Sequence, residues 1–294
     1  MHLITGVTGK MGQAVLEEAR KTDLKIKAMY RDAADAKKAP AGVVPVIADY
    51  ADKESLRKAL EGVYAVYLVC SPVPQLVELE SNAIDVCVEK GVPYVVLNSA
   101  LGAHDYPKSF PSWHKKVEDK LKASGLGYTI LRPNSFMQNL LTSVAPSVRA
   151  QGAFYAAMGN AQLSFLDQRD IAVVATKILL EPREHAGKIY ELNGPEALNY
   201  IDVAQKISRV SGKPVKYVDV PESAQQKAML EQGLPEWLVT ALMDLQRYYT
   251  VYAKGGEVTD ILPRLLGRPS ITMSQFLEEN KNSFREQAAG AKGG

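Results

Sequence analysis

Three glycines near the start of the chain, Gly6, Gly9 and Gly12, stand at the spacing G-x-x-G-x-x-G within Gly6-Val7-Thr8-Gly9-Lys10-Met11-Gly12. Their chemistry is that of a phosphate cradle. The first glycine permits a tight turn, the second lets the backbone approach a pyrophosphate, and the third lets a helix pack closely on a strand. A helix opening at such a turn offers unpaired N–H groups and the positive end of its dipole to the anion. The spacing alone is weak evidence. It gains weight because the apolar run His2-Leu3-Ile4-Thr5 precedes it and an amphipathic stretch, Gly12 to Lys21, follows. The expectation is a dinucleotide site that uses Gly6, Thr8, Gly9, Lys10, Met11 and Gly12.

Arg31 bears on the type of dinucleotide. It follows the strand pattern Lys25 to Tyr30, where a fold that selects NAD places an acid for the ribose hydroxyls. A guanidinium suits the 2′-phosphate of NADP instead. NADP is therefore the favoured cofactor, while Asp32, next to Arg31, keeps NAD as the lesser alternative. Asp49 and Tyr50 end the third strand pattern, where adenine would lie; capping of the strand end is the plainer alternative. Ligands of open parallel sheets bind beyond the carboxyl ends of the strands. That adds Val69, Cys70, Ser71 and Pro72 along the ribose, and Asn98, Ser99, Pro133 and Asn134 around the nicotinamide.

The elements that must position these groups alternate in type. Strand patterns at 43–47, 65–69, 94–98 and 128–131 are interleaved with helical stretches at 54–60, 76–90 and 117–122. Such alternation implies parallel strands joined by right-handed crossovers, hence an α/β, Rossmann-type doubly wound sheet. Past about residue 135 the regularity weakens. The expected division is a dinucleotide-binding domain over 1–150, its sheet completed by a strand at 187–193, and a smaller α+β substrate lobe over 151–286. Residues 287–294 are small and polar, and are expected to form a disordered tail.

Composition narrows the function classes. The 294 residues carry 35 basic and 33 acidic side chains, a net charge of +2, which leaves no footprint for nucleic acid or an anionic membrane. No apolar run reaches the roughly 18 residues that span a bilayer, and no basic n-region with a cleavage site opens the chain. Cys70 and Cys87 read as reduced core thiols without metal-like spacing, which suits the cytoplasm, and no histidine pattern suggests a metal.

Taken together, several blocks resemble the NmrA-like, atypical short-chain dehydrogenase/reductase family. They are Ile4 to Gly12, Ala48-Asp49-Tyr50, Tyr128-Thr129-Ile130-Leu131-Arg132-Pro133-Asn134-Ser135-Phe136-Met137, Asp170-Ile171-Ala172, Gly187 to Leu192 and Gly267-Arg268-Pro269. The resemblance spans nearly the whole chain and is strongest to the bacterial quinone and dye reductase branch. It implies hydride transfer from NADPH to an electron-poor conjugated acceptor such as a quinone, an azo dye or a triphenylmethane dye, by a monomer or homodimer. The Tyr-x-x-x-Lys pair of ordinary short-chain dehydrogenases is absent: Tyr106 is followed by Lys108, and Val117 lies four residues after Trp113. The branch carries a histidine with a glutamate four residues on, and His114 and Glu118 match. The resemblance therefore implies His114 as the proton donor, with a helix-capping histidine as the alternative. Ser99, Phe136, Met137, Phe154 and Trp237 are expected to touch substrate, with Tyr155 beside them. Two other functions stand as alternatives: a redox sensor that holds NADP without turnover, and a reductase of a biosynthetic imine or enone.

Overall fold

The structure, a computed structural model, describes residues 1–285. The expected tail at 287–294 lies outside the described residues. In chain order the strands are β1 (His2–Ile4), β2 (Ile26–Tyr30), β3 (Val43–Ile47), β4 (Ala65–Leu68), β5 (Tyr94–Asn98), β6 (Gly127–Pro133), β7 (Ala153–Ala156), β8 (Lys188–Leu192) and β9 (Lys216–Asp219). Seven of them form one parallel sheet in the order β3-β2-β1-β4-β5-β6-β8. The order reverses between β1 and β4, so the crevice beyond their carboxyl ends is where this architecture takes a ligand.

The central strands form because they are apolar on both faces. Every residue of β4 and of β5 is buried, as expected of parallel strands covered by helices on each side. Val66, Leu68, Val95 and Leu97 pack with Leu56, Leu76, Ile84 and Leu121 from the flanking helices. At the β3 edge, Val44 and Ile47 stay exposed.

The chain divides into two compact units. The first is Met1–Pro133 with Gln168–Leu192; the second is Asn134–Asp167 with the residues from Asn193 onward. The break thus falls at Pro133 rather than at 150. The first unit also takes back more than one strand, because the helix Gln168–Leu180 packs on the helix Lys10–Ala19. The helix Ser109–Ala123 starts eight residues before the expected Val117. Its Pro111 reads as a breaker in the sequence, but a proline in the first turn costs no intrahelical hydrogen bond.

The second unit holds a parallel pair, β7 with β9. Strand β7 was not apparent from the sequence, being only four residues long. Its core gathers Leu140, Phe154, Phe165, Val203, Ile207 and Phe276. Among the described residues no helix is long and apolar enough to cross a membrane.

Candidate cofactor site and active site

The glycine turn is built for close backbone approach. Gly6 follows β1 with φ +62°, and a Cβ there would stand 2.8 Å from Val69 Cγ1 and 3.0 Å from the Val69 carbonyl oxygen. At Gly12 a Cβ would fall 2.3 Å from the Gly6 carbonyl oxygen and 2.4 Å from that of Thr5, both immovable backbone. Thr5 secures the turn from below: its hydroxyl donates to the Tyr67 carbonyl at 2.9 Å and accepts the Val69 N–H at 3.0 Å. Gly9 is the N-cap of Lys10–Ala19, a helix with no side-chain cap and no acid in its first turn. Such an end leaves backbone donors to be met by something else, and a pyrophosphate fits. Thr8 and Lys10 are exposed there, while Met11 and Gly12 are buried.

The end of β2 distinguishes Arg31 from Asp32. The Asp32 carboxylate accepts the Asp35 N–H at 2.8 Å and so caps the short helix Ala33–Ala36. That use commits one of its two oxygens to the helix. Arg31 is exposed and makes no hydrogen bond or ion pair among the described residues. Its charge reaches the Cys70 thiol, which burial nonetheless pushes up to about 12. A free guanidinium facing the β4 exit suits an additional phosphate. Asp49 and Tyr50 spend their side chains locally. The Asp49 carboxylate accepts the Ala51 N–H at 2.8 Å, and the Tyr50 hydroxyl donates to the Val69 carbonyl at 3.0 Å. Tyr50 thereby ties the β3 exit to the turn Val69-Cys70-Ser71-Pro72.

The carboxyl ends of β5 and β6 are different. Ser99 is 2% exposed, and its hydroxyl turns inward to donate to Glu118 Oε1 at 2.7 Å. Arg132 holds both oxygens of the same carboxylate, at 2.8 and 2.7 Å, and reaches Glu191 at 3.1 Å. His104 meets Glu191 at 3.0 Å. Burial pushes the Glu118 carboxyl up, but its bonds to Arg132 and Ser99 outweigh this and hold it below the ordinary range. The Asn98 amide oxygen accepts the Tyr67 hydroxyl at 3.1 Å. Pro133 closes β6, its carbonyl accepting the Leu101 N–H.

His114 sits one turn before Glu118 on a buried helix face. Burial lowers its imidazole to about 4, against the pull of Glu118, and its Nδ1 is buried with no partner. At neutral pH the ring is therefore uncharged. The ring so placed is neutral, with one N–H to donate and a buried Nδ1 that has no partner.

The second-unit residues separate in the same way. Asn134 donates to the Asn193 amide oxygen at 2.9 Å and to the Gly255 carbonyl at 2.8 Å, while its own oxygen accepts the Ser135 N–H. All three bonds anchor loops, using both amide N–H groups and one of the two acceptor sites of the oxygen. Met137 and Phe154 are 1% and 2% exposed and lie in the apolar core of this unit. Phe136 is half-buried and bridges Leu166. Trp237 and Tyr155 are exposed. A cleft of about 720 Å³ in this unit is lined by residues including Met158, Asn160, Gln162, Asp219 and Tyr249, and by none of the expected wall residues.

Two buried charged features escaped the reading of the sequence. One is the Glu118–Arg132 pair, whose members lie on different elements. The other is Glu80, an acid at 0% exposure. The signal for Glu80 was present in the spacing Leu76, Glu80, Ala83, Ile84 and Cys87, which sets a carboxyl on the apolar stripe of a helix.

Fold and glycine turn together define a dinucleotide-binding protein of the Rossmann type. The NmrA-like family model matches residues 2–279, and the chain belongs to that family. An NAD(P)H azoreductase of Xenophilus azovorans is 34% identical over 97% of this chain and 99% of its own. Quinone oxidoreductase 2 of Escherichia coli is 33% identical over 94% and 96%. The crystal structure of the E. coli NADPH-dependent quinone oxidoreductase QOR2 complexed with NADPH superposes with a TM-score of 0.87, at 32% identity, covering 95% of this chain and 99% of that one.

Proposed function

We propose that this chain is an NADPH-dependent oxidoreductase that reduces an electron-poor conjugated acceptor, of the quinone or azo-dye kind, by hydride transfer. One observation carries the cofactor reading. The uncapped helix end at Gly9 and the exposed Arg31, which has no partner among the described residues, follow the carboxyl ends of the adjacent parallel strands β1 and β2. The relatives named as an azoreductase and a quinone oxidoreductase support the acceptor class.

When bound, NADPH supplies the hydride. The protein's own residues bind, orient and exclude water. The Gly6–Gly12 turn and the first turn of Lys10–Ala19 hold the pyrophosphate, and Arg31 holds the 2′-phosphate. The turn Val69–Pro72 runs along the ribose. A reduced quinone is a stable anion, so it needs no strong acid beside it. His114, neutral at pH 7, can donate one N–H to such an oxygen without losing its proton outright. Ser99, Asn98 and Asn134 act at one remove, by fixing the strand ends. We assign the activity to the cytoplasm, where the free thiols Cys70 and Cys87 stay reduced, and to a monomer or homodimer.

The test is a mixture of purified protein, NADPH and a panel of quinones and azo dyes. Acceptor-dependent loss of the nicotinamide absorbance is the expected result. Tight NADPH binding without turnover on any acceptor would overturn the enzyme and leave a sensor.

A further inference from the structure

Glu80 has no place in the activity described so far, yet its position is unusual. It lies on the helix Leu76–Glu89, is 0% exposed, and neither carboxyl oxygen has a hydrogen-bond partner. Among the described residues no cation acts on it. The titratable groups near it are Tyr50 at the β3 exit, Tyr67 on β4, Cys70 just beyond β4 and Cys87 on its own helix. The Cys70 amide faces it but does not complete a hydrogen bond. A carboxylate without a cation or donors is far too costly to bury, so the group is held as the neutral acid. Burial accordingly raises it to about 8.

The location gives this acid a consequence. Cys70 is the second residue of the Val69–Pro72 turn, and Val69 is the residue that Thr5, Tyr50 and Gly6 all approach. A charge appearing beneath Cys70 would pull on its amide and drive the carboxylate toward water, through the same turn.

We propose that Glu80 is a positioning residue for the nucleotide, its uncharged carboxyl underlying the Val69–Pro72 turn and keeping it in the shape the ribose crosses. The inference rests on the proposed NADPH binding. Ionising Glu80 disorders the turn and weakens the cofactor without touching it directly.

The neighbours make the test clean. Cys70 and Cys87 are raised to about 12, and Tyr50 and Tyr67 are also raised, all by burial. Among this group only Glu80 changes charge between pH 7.5 and 9.5. The dissociation constant for NADPH is measured by calorimetry across that window, for the wild type and Glu80→Gln. If only the acid form binds, wild-type affinity falls roughly 30-fold by pH 9.5, as the competent fraction shrinks. Glu80→Gln binds like the wild type at pH 7 and stays flat. Glu80→Met, apolar and similar in size, repeats the measurement if the glutamine variant does not fold. Equal pH slopes in wild type and variant would overturn the role of Glu80 alone. A wild type that binds no NADPH at any pH would overturn the functional reading, and this inference with it.

Discussion

The two ends of the sheet's carboxyl edge treat their polar groups in opposite ways. At β1 and β2 the groups suited to a ligand are left free: an uncapped helix end, an exposed Thr8 and Lys10, and an unpartnered Arg31. At β5 and β6 they are consumed by the protein. Ser99 donates a hydrogen bond to Glu118, Arg132 clamps that carboxylate, and Asn98 accepts one from the Tyr67 hydroxyl. The first end recognises by backbone and one free charge. The second end is rigid because its polar groups are satisfied, and a buried ion pair of this kind fixes geometry more than it adds stability. A polar residue at a strand end is thus a candidate ligand group only while nothing else claims it.

Four experiments would sharpen or break that contrast. The largest effect is expected at the free end. Gly12→Val forces side-chain atoms into the Gly6 and Thr5 carbonyls, and strain with lost packing of about 3 kcal/mol or more lowers NADPH affinity by about a hundredfold. Titration calorimetry reads it; wild-type affinity would break the assignment of the cradle. At the consumed end, Glu118→Leu strands a buried arginine. Such losses cost about 3–5 kcal/mol, here nearer the lower figure because Glu191 still holds Arg132. Urea melts should show this drop, and the double variant Glu118→Leu/Arg132→Met should recover most of it. Arg31→Ala removes a charged hydrogen-bond partner and should cut the preference for NADPH over NADH by about tenfold, roughly 1.5 kcal/mol. An unchanged ratio of dissociation constants would show that the 2′-phosphate is read elsewhere.

The smallest effect concerns His114. Its folded titration, at about 4, lies below the ordinary 6.5. The stability linked to it is therefore present above 6.5 and lost as the pH falls toward 4, since the unfolded chain binds the proton first. His114→Phe should blunt that acid sensitivity in thermal melts. The rate should run flat from pH 6 to 7.5, and an inflection near 6.5 that vanishes in the variant would show that His114 titrates as a charged acid instead.

The same contrast explains what was legible beforehand. The sheet was readable because doubly buried strands are continuous apolar runs; β3 and β5 have the expected bounds. The glycine cradle was readable because its chemistry lies in the backbone and needs only spacing. The fate of individual side chains was not. Nothing in the order of residues says that Asp32 caps its own helix, or that Ser99 turns inward toward a glutamate 19 positions on. Met137 and Phe154 sit near a candidate strand end and a candidate lobe in sequence, and only packing shows that both are core. The second unit was the least legible, since β7 and β9 are partly exposed and do not make the continuous buried runs of β4 and β5.

The discontinuous make-up of the first unit also limits how the chain can be taken apart. A gene fragment ending at residue 150 would leave the outer edge of β6 without β8, and strip the cover of Gln168–Leu180 from the helix Lys10–Ala19. On the ribosome the sheet cannot be finished until Leu192 has emerged. Grafting this nucleotide-binding module onto another protein would thus need two pieces of chain and three joints, not a single cut.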